Sequence, residues 1–514
     1  MKKILSILIL SAGLFSCSDL DVVPLSQLME GNFPNTDGDA ITLTNGIYQP
    51  NTGISTSLAY MIDLSTETTI SGEEQSNDGG ALLGVLQAAP TNTYVTSVWN
   101  AFFTGITRAN DVIDKISVSK TVSETIKKRS VGEAHFMRAY YYFYAVQFWG
   151  EVPLVLHATE GLYATRVAID DVYEQIVSDL EYAANNLPHV SEYSSTDKGR
   201  ATKGAAYALL ARVYLTWGQI SETGGATAKK EKFRKSIDAA NNVTGYVLEE
   251  EYLDNWVINN KNGKENIFST QHATTQASDG TGGNHLAHCA FATGFSDRTP
   301  HVVVSDIKFY DAFDDRDQRK EGTYAKTLIN PTNGNPFTFT LPRYRKYIDI
   351  NNPSGSASAR NIDRTILRYA DVLLLKAESI NEFNNGPTAE AYEAINTVRR
   401  RAFRHPLTAP SPDDLPSGLS YAGFKKAIQE ERVFELTYEQ THWLDLVRWR
   451  IYVKTLKESG VDPFYKKQNV SLKHYRFPIP QGQRNINPEG LWQNYGYDGY
   501  DEAKTGANPY AGFE

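Results

Sequence analysis

Residues 285–289 read His-Leu-Ala-His-Cys, two imidazoles three positions apart beside a thiol, with His272 and His301 close in the chain. Histidine and cysteine are zinc ligands, but a structural zinc site needs four of them at a defined spacing, and the flanking Thr, Gly and Asn supply no second thiol. These histidines therefore read as polar or core side chains, and neither a metal nor a cofactor is expected. Residues 311–317 (DAFDDRD) gather four aspartates without the Asp-x-Asp-x-Asp-Gly loop and closing Glu that calcium requires. Pairing with Arg316 and Arg319, or a solvated helix end, is the expectation there. Arg399, Arg400, Arg401 and Arg404 would point around most of a helix, which suits separate ion pairs better than one phosphate site. The chain has no G-x-S-x-G elbow, no H-E-x-x-H and no phosphate loop ending in Lys-Ser/Thr. Its 60 Asp and Glu leave a glycosidase-type acid pair open as an alternative.

The elements that would position any site are those of a large folded body. With 514 residues, 41% of them apolar and 22% charged, the chain can bury a sizeable core. Its 30 Tyr, 22 Phe and 7 Trp are too many aromatics for a solvated, unfolded polymer. A net charge of −9 argues against a nucleic-acid partner. Two cysteines make no disulfide framework, so packing must hold the fold.

The first residues read as an export signal. Lys2 and Lys3 precede an apolar run over 4–15, which as a helix rises about 18 Å, short of the ~30 Å hydrocarbon core. The sequence Leu14-Phe15-Ser16-Cys17 resembles the lipobox of bacterial lipoproteins, which implies removal of 1–16 and acylation of Cys17. Ser18-Asp19-Leu20-Asp21 resembles a surface-export signal of Gram-negative lipoproteins.

Apolar residues at helical spacing predict helices over 95–116, 124–149, 169–187, 203–217, 230–243, 365–383, 388–403, 421–436 and 441–456. Gly150, Gly218 and Gly245 and Pro153 and Pro188 stand where stops belong. The segments 134–150 with 172–184, 205–218 with 233–240, and 369–385 with 391–402 repeat an order of alanines, aromatics, turn and second helix. That order resembles tetratricopeptide pairs; an irregular helical bundle is the other reading. Residues 50–93, 259–300 and 323–364 are rich in Thr, Ser, Gly, Asn and Pro and read as long polar loops, which in a compact protein are usually functional.

One resemblance covers most of the chain. The segment 134–155 (AHFMRAYYYFYAVQFWGEVPLV) is similar to the signature helix of the SusD/RagB family of outer-membrane lipoproteins. In the family's order follow or precede 99–113 (WNAFFTGITRANDVI), 200–218 (RATKGAAYALLARVYLTWG), 310–319, 368–382 (RYADVLLLKAESINE), 396–402, 428–450 (IQEERVFELTYEQTHWLDLVRWR) and 477–497 (FPIPQGQRNINPEGLWQNYGY). Gln440-Thr441-His442 stands where the family commonly has Gly-x-Arg, and Gln481-Gly482-Gln483 where acidic residues are common. The resemblance implies a mainly α fold of tetratricopeptide-like helical pairs with a loop-rich ligand-binding half and few short strands. It implies one body over 17–514, with the scaffold mainly in 93–245 and 365–457, the binding portion mainly in 50–93 and 259–364, and 458–514 packed on the scaffold. It further implies a non-catalytic protein that captures oligosaccharide at the cell surface, anchored by lipid, as the lid of a SusC-like TonB-dependent barrel. The RagB branch implies peptide cargo instead.

Within that frame the motif residues read as structure. Tyr140, Tyr141, Tyr142, Phe143, Phe148 and Trp149 are expected to pack helices, and Arg432, Glu435, Trp443, Asp445 and Arg448 to form buried ion pairs and caps. A sugar needs an aromatic platform for its C–H face and charged or amide groups for its hydroxyls. The candidates are therefore taken from the polar loops, on the expectation that their aromatics are exposed. They are Tyr60, Glu67, Glu73, Asn77, Asp78 and Tyr94 in the first; His285, Phe291, Phe295 and Arg298 in the second; and Tyr324, Arg343, Tyr344 and Tyr347 in the third.

Overall fold

Asn92 accepts hydrogen bonds from the backbone N–H groups of Tyr94 and Val95 (3.0 and 3.2 Å), which starts helix α1, Thr93–Ile116, the first long element of the computed structural model. That structure describes residues 33–71, 79–161, 163–272, 286, 303–330, 333–348, 361–460, 466–502 and 508–513. The buried stripe of α1 runs through Val95, Trp99, Phe102, Ile106 and Ala109. Helix α2, Glu124–Trp149, is buried from Ser130 to its end except at His135, so no polar face alternates with its apolar one. It stops at Gly150, whose φ of +73° only glycine adopts without strain.

Helices α3 (Ile169–Asn186), α4 (Lys203–Ile220), α5 (Gly225–Asn241), α6 (Tyr369–Asn384), α7 (Ala389–Ala402) and α8 (Tyr421–Glu435) continue the scaffold. Thr202, Thr388 and Ser420 cap α4, α7 and α8 through their side-chain oxygens. Each helix from α1 to α7 packs on the next, and α6 also packs on α8, as stacked pairs do. The three helix pairs expected from the sequence, α2 with α3, α4 with α5 and α6 with α7, are all present. A Cβ at Gly105 would collide with the Tyr141 ring, so glycine there lets α1 and α2 approach closely.

Two expected helices are different in the structure. Arg364–Arg368 is a strand, buried along its whole length and paired antiparallel with Asn266–Thr270; α6 begins only at Tyr369. A strand buried on both faces shows no polar alternation to distinguish it from a helix. The helix expected over 441–456 is two, α9 (His442–Arg448) and α10 (Tyr452–Glu458), separated where Arg450 turns to φ +63°. Nor is 50–93 one continuous loop. Ser55–Leu58 and Ala59–Asp63 are helical turns, and Ile54, Leu58, Ala59, Met61 and Ile62 enter the main core.

The strands, numbered in chain order, are β1 (Thr69–Ser71), β2 (Val152–Pro153), β3 (Arg166–Val167), β4 (Asn266–Thr270), β5 (Val303–Ser305), β6 (Tyr324–Ile329), β7 (Pro336–Tyr344) and β8 (Arg364–Arg368). One antiparallel sheet runs in the order β1-β5-β7-β6; β2 pairs with β3 and β4 with β8. Among the described residues no helix is long and apolar enough to cross a membrane.

Candidate functional site

The four-stranded sheet joins all three polar segments. β1 belongs to the first, β5 follows the second, and β6 and β7 form the third. Thr69 lies opposite Ser305, Val304 opposite Arg343, and Tyr344 opposite Tyr324. The Asp306 N–H donates to the Thr68 carbonyl at 2.9 Å and extends the first of these pairings. Segments separated by more than 200 residues are thus sewn edge to edge, which fixes where their connecting chain must emerge.

Beneath the sheet lies a ladder of tyrosines. Tyr344 stacks on Tyr438 with centroids 4.1 Å apart and planes at 4°, and Tyr324 stands 5.2 Å from Tyr344. Tyr344 Oη and Thr69 Oγ1 share a hydrogen bond of 2.8 Å, so the stack is tied to β1. Tyr347 approaches Tyr438 at 6.0 Å. Buried Lys466 donates to the carbonyls of Leu64, Thr66 and Thr69 at 2.6–2.8 Å, pinning the first segment from the C-terminal side.

A set of buried titratable groups sits next to the ladder. Asp63 accepts from the Gln440 amide nitrogen and side chain (3.3 and 3.0 Å), yet burial outweighs these donors and pushes its carboxyl up to about 7. His442 Nε2 meets Glu67 Oε1 at 2.7 Å. Burial opposes the charge on both, but each holds the other ionised, so His442 lies above and Glu67 below its ordinary pKa. The set braces the joint between the 59–67 segment and α9. Among the described residues no group of three or more His, Cys, Asp or Glu is placed to hold a metal ion.

The expectation of exposed rings is corrected for five candidates. Tyr60, Tyr324, Arg343, Tyr344 and Tyr347 are each at most 4% exposed. Tyr324 and Tyr347 pack around the Tyr344–Tyr438 stack, Tyr60 packs edge-on to Tyr94, and Arg343 lies over the Phe339 ring at 5.1 Å. These side chains build the floor that holds the loops. Glu67 is half-buried and engaged by His442. Tyr94 is half-buried at the first turn of α1, edge-on to Tyr60 at 4.9 Å. Glu73, Asn77, Asp78, His285, Phe291, Phe295 and Arg298, with Cys17 and the His288–Cys289 pair, lie outside the described residues. Sequence reasoning missed Tyr438, Lys466, Asp63 and Gln440. Of these, Tyr438 and Gln440 fall inside the 428–450 segment that carried the resemblance, but nothing in their spacing shows that they face a sheet.

Residues 223–497 match the model of the SusD family. The chain belongs to the SusD family. Residues 26–215 also match a SusD-like family described as starch-binding and associating with the outer membrane. SusD-like protein P2 of Formosa agariphila is 26% identical across 97% of this chain and 100% of its own. A SusD homolog from Bacteroides thetaiotaomicron has the same fold, with a TM-score of 0.77 and 26% identity over 91% of this chain and 99% of that one. A laminarin-binding SusD-like protein has a TM-score of 0.69 at 23% identity, covering 90% of this chain and 99% of its own. The mainly helical SusD architecture expected from the sequence is therefore the one observed.

In this SusD-family chain the charged motif residues are scaffold. Arg319, Arg368 and Arg401 all donate to Glu435, and Arg368 also donates to Glu439. Arg432 bridges Asp371 and Asp445, and Arg448 holds Glu378. The arginine run pairs residue by residue: Arg399 with Glu431, Arg400 with Glu393 and Asp414, Arg401 with Glu265. Asp314 pairs with Arg316 and Asp317 with Arg319.

Proposed function

We propose that this chain is a non-catalytic surface lipoprotein that captures glycan on the face where its three polar segments converge. It acts there as the lid of a SusC-like TonB-dependent barrel. The observation that carries the reading is the β1-β5-β7-β6 sheet, which gathers those segments on a rigid helical body. Support comes from a laminarin-binding SusD-like protein of the same fold and from the outer-membrane association in the matching family description. The mature chain begins at lipidated Cys17, so the body hangs from the outer leaflet without a spanning helix. Tyr94 supplies an aromatic edge. The remaining contacts are assigned to Glu73, Asn77 and Asp78, which follow β1 in sequence, and to His285, Phe291, Phe295 and Arg298, which precede β5. The buried tyrosines position these segments without touching sugar.

Titration against a polysaccharide panel and a peptide digest, with chromatography of the bound glycan after hours of incubation, tests this. Binding to a glycan class with no new products is expected. Binding of peptides alone would favour RagB-like cargo, and release of shorter sugars would identify a hydrolase.

A further inference from the structure

A cavity of about 380 Å³, lined by no residue of the four-stranded sheet, opens between the end of α2, the start of α3 and the C-terminal segment. That volume lies in the range of small-molecule sites. Half-buried Trp492, Tyr495 and Tyr500 form one wall, with Tyr495 and Tyr500 edge-to-face at 5.4 Å. Two arginines border that wall, and the Arg166 guanidinium lies over the Trp492 ring, 5.1 Å from its centroid. Arg166 Nη2 and Arg476 Nε stand 3.9 and 3.3 Å from the place a Cβ on Gly150 would occupy, so both flank the same spot.

Neither arginine has an ion-pair partner among the described residues. Arg166 donates only to neutral oxygens, those of the Glu151, Trp492 and Trp149 carbonyls and the Asn494 amide, at 2.6–2.9 Å. Arg476 spends one of its five N–H groups on the Tyr475 carbonyl. Burial lowers the pKa of Arg166 to about 10 against the attraction of Glu151 and Tyr510, and the like charge of Arg476 adds a smaller lowering. Three carboxylates, Glu151, Asp170 and Glu222, also line the cavity, each with protein partners of its own. Glu222 pairs with Arg450 and Lys229; Asp170 accepts from Trp217, Ser221 and Thr223; Glu151 accepts from the Trp492 indole. The 18-residue helix α3 also starts here, with Ala168 as its N-cap and with Asp170 and Asp171 in the first turn facing its positive end.

We infer that this cavity is a second saccharide subsite, taking a sugar unit that bears a carboxylate or a sulfate ester. The anionic group sits between Arg166 and Arg476, which relieves their mutual repulsion, and the ring packs on Trp492 and Tyr495. The inference rests on the glycan-binding reading and names one acidic component of the cargo.

Titration of the full chain with methyl glucuronide, glucose 6-sulfate, methyl glucoside and inorganic sulfate, read by calorimetry and by the Trp492 and Arg476 side-chain N–H signals, tests it. Both acidic sugars are expected to shift those signals and to bind at least tenfold more tightly than methyl glucoside. Arg476→Gln should abolish the preference, and Trp492→Ala should weaken both acidic sugars at least tenfold. Equal binding of methyl glucoside, or silence of the Trp492 and Arg476 signals in the unmodified protein, overturns the proposal. Inorganic sulfate matching glucose 6-sulfate would reduce the site to an anion site and equally overturn it. Binding of the polysaccharide panel by the unmodified chain is read separately from these four small probes, so failure here is distinct from failure of the glycan-binding reading.

Discussion

Between α1 and α2 the buried contacts are rings on rings, whereas between α6, α8 and α9 they are charges on charges. Phe102 has Tyr141, Phe148, Trp149, Tyr140 and Tyr144 around it at 5.6–6.4 Å. On the other side Asp371, Glu378, Arg432, Asp445 and Arg448 are buried and linked by direct ion pairs. The difference teaches how each half should fail. Truncating a ring loses volume, and the neighbours can relax into part of it. Removing one partner of a buried network leaves the others as uncompensated charges in a poorly polarisable interior.

Breaking the ionic side should therefore cost most. Glu435→Ala removes the carboxylate that Arg319, Arg368 and Arg401 share, leaving three buried arginines with fewer counter-charges, and should destabilise by about 5 kcal/mol in urea unfolding; a loss under about 1 kcal/mol would contradict the picture. On the ring side, Phe102→Ala should cost about 3–5 kcal/mol, and the loss should be the same at pH 5 and pH 8. Acid sharpens the contrast. Although burial raises both, Asp371 is held at about 2 by Arg212 and Arg432, and Glu378 at about 2 by Arg448. Their folded pKa values lie below the unfolded ones, so their contribution is present above about pH 4.5 and is lost as pH falls toward 2. The loss is about 1.4 kcal/mol per pH unit for each group, and Glu378→Gln should flatten its share of that limb. Asp63 has the opposite sign. Its folded pKa is raised, so stability falls as pH rises from about 4 toward 7, and Asp63→Asn should remove that slope in unfolding midpoints taken across the range. The smallest effect is expected from Tyr141→Phe, which loses one hydrogen bond to the Ile47 carbonyl and should cost about 1 kcal/mol.

The scaffold was legible because its signals are local. Gly150 ends α2 where the sequence placed a stop, and apolar spacing alone marked the course of α1 and α4. The packing role of Tyr140 to Trp149 and the ion-pair role of Arg432 and Glu435 are read within the family resemblance, because large aromatic and charged groups of a signature helix must be covered by its neighbours. What escaped is non-local. The buried strand Arg364–Arg368 carries no alternation, and its pairing with β4 across about 100 residues leaves no trace in either segment. Tyr324, Tyr344 and Tyr347 look like loop aromatics because Thr, Asn and Gly surround them, and only the stack on Tyr438 reveals that they face inward. Likewise the core residues at 54–62 vanish when composition is averaged over a long polar stretch.

The division of labour between loop face and scaffold is tested most directly by calorimetric titration of the glycan selected from the panel. The proteins compared are the unmodified chain, Tyr94→Ala, Arg298→Ala and Tyr141→Phe, each also followed through thermal unfolding. The two loop-face variants should each weaken binding at least tenfold, about 1.4 kcal/mol, with the midpoint unmoved in Arg298→Ala and lowered in Tyr94→Ala only by the lost contact with Tyr60. Tyr141→Phe should lower the midpoint and leave the affinity unchanged. Unaltered affinity in both loop-face variants, or a tenfold loss in Tyr141→Phe, would contradict the account.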